Sequence, residues 1–203
     1  MKCLRIATQN AHKLREFREM LEPLGYTVLG TEGLDGFAVV EDGATFAANA
    51  LKKAAALTAL TNDAAIADDS GLVVDALDGA PGVHSARYSG DDTPDRDAAN
   101  RRKLLAALAD VADERRTARF VCALAYVTPG GAEPLIVEGR CEGMIGRLEQ
   151  GDGGFGYDSL FVVPAHGRTL AQLSPTEKNA LSHRGRALRA FLVALRFAGG
   201  RQP

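Results

Sequence analysis

An α/β fold organised around a mixed β-sheet is the fold class this sequence predicts, and three observations carry the prediction. The apolar run over residues 2–7 breaks at Thr8-Gln9-Asn10, and Leu14, Phe17, Leu21 and Leu24 then recur at helical spacing, the strand–turn–helix order of an α/β unit. Two β-rich runs, residues 120–127 and Leu135–Ile145, flank Thr128-Pro129-Gly130-Gly131 and read as an antiparallel hairpin. With 203 residues, 46% of them hydrophobic, the chain has the length and apolar content of one sizeable domain. No internal repeat, low-complexity tract or clear linker divides residues 1–203.

The elements follow in chain order. In the first helix Lys13, Arg15, Glu16, Arg18 and Glu19 fill the face opposite the apolar stripe. Tyr26–Leu29 supply a second strand, and the glycine-rich acidic stretch 30–43 forms a loop. A second helix starts near Thr45, driven by the alanine-rich residues 47–60. Residues 64–67 and 72–76 read as two strands meeting at Asp68-Asp69, where Ser70-Gly71 turns the chain, and Gly79-Ala80-Pro81-Gly82 is a loop. Thr93 reads as an N-cap, with Pro94 in the first turn of a helix running through Leu104, Leu105 and Leu108. A glycine-rich loop over 148–156 precedes a strand over 160–163. Ser174-Pro175-Thr176-Glu177 has the spacing of a capping box with proline at the first helical position. Ser182 and Gly185 mark a break ahead of a last amphipathic helix over 188–197.

Bulk properties narrow the function classes. A net charge of -2 gives no broad basic field for non-specific nucleic-acid binding, so any phosphate must be held by a few placed cations. No apolar stretch approaches the ~20 residues of a membrane span, and the N-terminal run turns polar too soon for a signal peptide. A cytoplasmic location is expected. Cys3, Cys122 and Cys141 are odd in number and far apart, which predicts buried reduced thiols rather than a disulfide or zinc framework.

Five stretches carry residue types with chemistry to offer. Thr8-Gln9-Asn10-Ala11-His12-Lys13 lies where a strand hands over to a helix, a place where exposed N–H groups and the helix dipole favour an anion, although so short a motif taken alone more often means Asn10 as a plain N-cap beside a wet lysine. Asn49 and Lys53, one turn apart, are the notable polar interruptions in the alanine-rich helix that follows Glu41-Asp42-Gly43. Asp68 and Asp69 point to opposite faces if they lie on a strand, so one of them faces any given site. Asp69, next to the Ser70-Gly71 release, is the choice. With Glu41 it offers the hard oxygen ligands that Mg²⁺ takes beside substrate phosphates, though Asp-Asp-Ser-Gly also fits a solvated turn. Phe155, Gly156, Tyr157 and Asp158 form a turn that presents either a stacking face or a core ring. Lys178, His183 and Arg184 fall within two helical turns near the helix break, either as a cluster of donors or as ordinary surface side chains.

In order along the chain, these blocks are Thr8-x-Asn10-x-x-Lys13, Glu41-x-Gly43-x-Thr45-Phe46-x-x-Asn49-Ala50-x-x-Lys53-Ala54, Ala67-Asp68-Asp69-Ser70-Gly71-Leu72, Gly79-Ala80-Pro81-Gly82, Ser85-Ala86-Arg87-Tyr88, Gly154-Phe155-Gly156-Tyr157-Asp158, and Lys178-Asn179 with Ser182-His183-Arg184-Gly185. From Thr8 to about Leu188 the sequence closely resembles the inosine triphosphate pyrophosphatases, the house-cleaning dITP/XTP pyrophosphatases. The resemblance implies an elongated mixed central sheet with flanking helices in two lobes around a substrate cleft, and a homodimer. It implies Mg²⁺-dependent cleavage of ITP, dITP or XTP to the monophosphate and pyrophosphate, with no nucleic-acid or membrane partner. The triphosphate then falls to Thr8, Gln9, Asn10, Ala11, His12, Lys13, Lys53 and Ser70, and the metal to Glu41 and Asp69. Asp69 also orients or deprotonates the attacking water, with Asp68 in support. Phe155, Gly156, Tyr157, Asp158, Lys178, His183 and Arg184 take the base. Ser159 stands where the family usually has proline, which bears on the rigidity of that loop. A Maf-type pyrophosphatase would instead open with Ser-x-Ser-x-x-Arg. A nucleotide sensor without turnover would need no pair of metal carboxylates.

Overall fold

The computed structural model describes residues 2–34, 37–90 and 94–199. Its elements are β1 (Lys2–Ile6), α1 (Ala11–Leu21), β2 (Tyr26–Leu29), α2 (Phe46–Thr61), β3 (Ala65–Val74), α3 (Arg96–Ala107), β4 (Thr117–Val127), β5 (Leu135–Ile145), β6 (Phe161–Val163), β7 (Arg168–Thr169), α4 (Pro175–Leu181) and α5 (His183–Gly199). One sheet takes the strands in the order β2-β1-β3-β4-β5-β6-β7. β1 runs parallel to β2 and β3, whereas β6 is antiparallel to β5 and β7, so the sheet is mixed and the fold α/β as expected. Among the described residues no helix is long and apolar enough to cross a membrane.

Two compact units partition the chain. The first comprises residues up to Asp69, Cys122–Gly139, and the segment from Arg184 onward. Its core joins Leu4, Ile6 and Val28 of the parallel strands to Phe17 and Leu21 of α1 and Leu188 and Phe191 of α5. Phe17 and Leu21 are completely buried, each stabilising the fold by roughly 1.5–3 kcal/mol. A second cluster packs Ala50, Ala54 and Leu57 of α2 on Ala65 and Ala67 of β3 and on Ala123 and Ala125 of β4. Small side chains there let helix and strands approach closely. The second unit, Ser70–Val121 and Arg140–His183, has its own core around Leu72, Leu104, Phe120, Ile145, Tyr157, Leu160 and Phe161.

Helix starts are set locally. Asn10 caps α1 by accepting from the N–H of His12 and Lys13, Thr45 caps α2 through Ala48 N, and Ser174 and Glu177 close a reciprocal capping box on α4. The structure corrects several expectations. β3 is one continuous strand through Asp68, Asp69, Ser70 and Gly71, not two strands and a turn. α3 is capped by Asp95, whose carboxylate accepts from Ala98 N, and starts after Pro94; Thr93 lies outside the described residues. The break before α5 falls at Ser182, which is extended, while Gly185 continues the helix. Leu24 leaves α1 for a short 3-10 turn and is exposed, and Cys3 is exposed whereas Cys122 and Cys141 are buried.

Candidate functional site

Side chains of the first unit converge on the two adjacent aspartates of β3. Strand alternation sends them to different partners. Asp68, completely buried, has Oδ2 within 2.8 Å of Arg184 Nη2 and 3.0 Å of Lys13 Nζ. Arg184 also pairs with Glu16, so Lys13, Asp68, Arg184 and Glu16 form a chain of alternating charge drawn from α1, β3 and α5. Burial alone would push the Asp68 carboxyl up, but the cations of Lys13, Arg184 and Lys53 outweigh it and hold the group far below the usual carboxylate range. Glu16, expected on a wet face, is buried, and Arg184, expected among the base donors, is 1% exposed and ion-paired to Asp68 and Glu16.

Asp69 belongs to a second constellation. Its Oδ2 accepts from Asn49 Nδ2 at 2.9 Å, and its Oδ1 stands 3.7 Å from Lys53 Nζ, which lies 2.7 Å from Glu41 Oε1. Asn49 and Lys53 share a face of α2 as their spacing required, and both are buried. Asn49 does more than the sequence revealed, for its Oδ1 accepts from Gly43 N at 2.8 Å and so ties the loop carrying Glu41 to Asp69. A Cβ on Gly43 would come within 2.6 Å of that oxygen. Burial raises Asp69, and the long approach of Lys53, the Asn49 amide and Lys13 do not offset it; Glu41 adds to the rise. Lys53 is pulled down by burial but pushed up further by Asp68, Asp69 and Glu41, and its net shift is upward. A buried carboxylate with its proton affinity raised, beside an ammonium whose charge its neighbours reinforce, has the chemistry of a proton acceptor next to a cation able to hold an anion.

The donor chemistry fits one hard divalent cation. Two carboxylates reach a single ammonium, and Mg²⁺ in phosphate sites takes one or two carboxylates with substrate and water oxygens completing the shell. Among the described residues no group of three or more His, Cys, Asp or Glu side chains is set to form an all-protein cage. The strand-to-helix turn is ordered by its own contacts. Thr8 Oγ1 accepts from Asn10 N, Gln9 Nε2 donates to Phe37 O, and Ala11 and His12 are exposed. Asn10 is an N-cap here.

In the second unit, Phe155, Gly156, Tyr157 and Asp158 form a tight turn around one carboxylate. Asp158 Oδ2 accepts from Phe155 N at 2.9 Å and from Lys178 Nζ at 2.7 Å, and the same ammonium lies 4.9 Å from the Phe155 ring centroid. A Cβ on Gly154 would collide with that carboxylate, which explains the glycine before Phe155. Tyr157 is buried, donates to Ser85 O at 2.8 Å, and has its hydroxyl pushed up by burial. His183 is buried and stacks on Phe120, ring centroids 4.8 Å apart. Ser70 follows Asp69 on β3, half-buried. Two residues that sequence reasoning passed over, Asp97 and Arg101, hold the Gly156 peptide from α3, and Ser159 donates to Glu149.

With this geometry in hand, comparison with known proteins gives a consistent result. The model of the Ham1 family matches residues 4–194. A dITP/XTP pyrophosphatase of Desulforamulus reducens is 51% identical over 191 residues, covering 94% of each chain. Among solved structures, a HAM1 protein from Coxiella burnetii superposes with a TM-score of 0.86 at 42% identity, over 97% of this chain and 99% of that one. A nucleoside-triphosphatase / dITP/XTP pyrophosphatase from Mycobacterium abscessus gives 0.74 at 49% identity, over 94% of this chain and 98% of that one.

Proposed function

The chain belongs to the Ham1 family, and from that premise we propose that it hydrolyses non-canonical purine nucleoside triphosphates, ITP, dITP and XTP, to the nucleoside monophosphate and pyrophosphate. The observation that carries the reading is the meeting of Glu41 and Asp69 at Lys53, a carboxylate pair and a cation in one polar cluster. Lys53, Lys13 and the turn over residues 8–13 hold the phosphates, with Ser70 beside them. Asp69 accepts a proton as a water oxygen bonds to phosphorus; the α–β anhydride bond breaks and pyrophosphate departs. Glu41 and Asp69 would hold Mg²⁺, which when bound would supply charge neutralisation for the triphosphate. Arg184 is assigned to holding Asp68, which in turn keeps Lys13 in place.

For the base, Phe155 is assigned to stacking on the purine, and Lys178 and His183 to presenting donors to its 6-oxo edge. Hypoxanthine and xanthine accept there, whereas the 6-amino group of adenine donates and would leave buried donors unpaired, a mismatch that discriminates by up to about 10⁴. The protein acts as a cytoplasmic homodimer in this reading. Incubation with ITP, XTP, GTP, ATP and dUTP in the presence of Mg²⁺, scoring pyrophosphate against orthophosphate, tests it. Pyrophosphate from ITP and XTP alone is the expected outcome, and Asp69→Asn abolishes most of it while leaving the fold intact. Orthophosphate, or no product, overturns the assignment.

A further inference from the structure

One helix grips both peptide groups that flank the Gly156 Cα. Gly156 N donates to Asp97 Oδ2 at 2.7 Å, and Gly156 O accepts from Arg101 Nη1 at 2.9 Å. Asp97 and Arg101 stand four residues apart on α3 and therefore project from one face. Arg101 is fixed in turn, because its Nε lies 2.8 Å from Glu149 Oε2 and its side chain is only 19% exposed. That same oxygen accepts from Ser159 Oγ at 3.0 Å. Glu149 and Ser159 bracket the turn, so a single guanidinium links the Gly156 peptide to both flanks of the loop. The glycine itself sits at φ +63°, a conformation it adopts without strain but does not enforce, since glycine has the widest choice of backbone states.

We infer that Asp97 and Arg101 are positioning residues that fix the plane of the Phe155 ring for a purine base. The inference rests on the proposal that Phe155 stacks on that base. Holding the N–H and the C=O of residue 156 fixes the peptide planes on both sides of its Cα, the first of which contains the Phe155 carbonyl, so the backbone that carries the ring is oriented before substrate arrives and less conformational entropy is lost on binding. The grip acts on the base end of the substrate and leaves the chemistry at phosphorus alone. Its signature is therefore a change in KM with little change in kcat.

The test compares Arg101→Ala and Asp97→Ala with Arg101→Lys and Asp97→Asn in the full chain, using ITP with Mg²⁺. KM rises about tenfold in the alanine variants, as expected for losing one or two hydrogen bonds. Meanwhile kcat changes less than about twofold, and inhibition by inorganic pyrophosphate is unaltered. The lysine and asparagine variants, which retain a donor or an acceptor, recover most of the loss. Phe155→Ala separates the two layers of the reading. If it raises KM while the α3 variants do not, the positioning role is overturned and base stacking stands. If it leaves KM unchanged, base stacking fails and the inference falls with it. A uniform loss in KM, kcat and pyrophosphate inhibition, accompanied by a lower melting temperature and no recovery in the conservative variants, reduces Asp97 and Arg101 to structural supports and overturns the inference.

Discussion

Replacing Arg184 with methionine keeps the methylene stem and removes the guanidinium from a site that is 1% exposed. Asp68, whose side chain is fully buried, then retains Lys13 at 3.0 Å but loses the contacts to Arg184 at 2.8 and 3.2 Å, and Glu16 loses its Arg184 partner. Breaking one side of a buried ion pair costs about 3–5 kcal/mol, because an uncompensated charge stays in a poorly solvated place. For a chain of this size each kcal/mol lowers the melting temperature by roughly 2–4 °C, so Arg184→Met melts about 6–20 °C below the parent. The decisive measurement is a cycle with Glu16→Gln in equilibrium urea unfolding without ligand, followed by two probes so that coincident transitions can be verified. Once the arginine is gone, the Glu16 charge is a burden, so adding Glu16→Gln to Arg184→Met restores stability, with a coupling of about 1–3 kcal/mol. A loss under about 1 kcal/mol in Arg184→Met, or strict additivity in the cycle, would refute the account of a mutually dependent charge chain.

Three further outcomes follow from other contacts. Lys53→Ala weakens inhibition by pyrophosphate far more than binding of the free nucleoside, measured by kinetics and calorimetry, and equal effects would remove Lys53 from the phosphate hold. Gly43→Ala places a Cβ 2.6 Å from Asn49 Oδ1 and 3.1 Å from Ala48 Cβ. It destabilises by about 1–3 kcal/mol as overpacking does; in an Asn49→Ala background the cost falls, with only the approach to Ala48 Cβ remaining, which thermal unfolding of the four variants will show. The Glu177 carboxyl is held down to about 2 by hydrogen bonds from Arg168 and Ser174. Its folded value lies below the ~4.3 of an unfolded glutamate, so its contribution to α4 is complete above that pH and fades as pH falls toward 2. NMR titration of the Glu177 side-chain carbon should therefore give a low midpoint that climbs toward the ordinary value in Arg168→Ala, and an ordinary midpoint in the parent contradicts the capping geometry.

How much of this was legible beforehand depended on the range of the interaction. The capping box at Ser174 and the cap at Thr45 are satisfied within three residues, and both were readable from spacing. Asn49 and Lys53 were readable as a shared face for the same reason. The course of β3 was not, since Asp-Asp-Ser-Gly has poor strand propensity. What overrides it comes from afar: Arg184 is 116 residues from Asp68, and Asn49 is 20 from Asp69. Glu16 was misplaced because helical periodicity sorts charged residues to the wet face, and its buried partner lies 168 residues along the chain. The grip on Gly156 spans 55 and 59 residues, and β7 has only two residues, too short for any pattern to announce it.

The charge chain also sets an order of events during synthesis. A nascent chain that has reached residue 139 already carries every strand segment of the first unit, together with α1 and α2. It does not yet carry Arg184. Until that arginine leaves the ribosome, Asp68 has only Lys13 and the more distant Lys53 to offset its burial, so we expect the collapsed N-terminal portion to keep an open seam where α5 will dock. Pairings separated by more than a hundred residues form late. The vulnerable interval for aggregation or chaperone capture therefore opens once residue 139 has emerged and lasts until Arg184 does, while the rest of the second unit is being made and the first is waiting for its counter-ion.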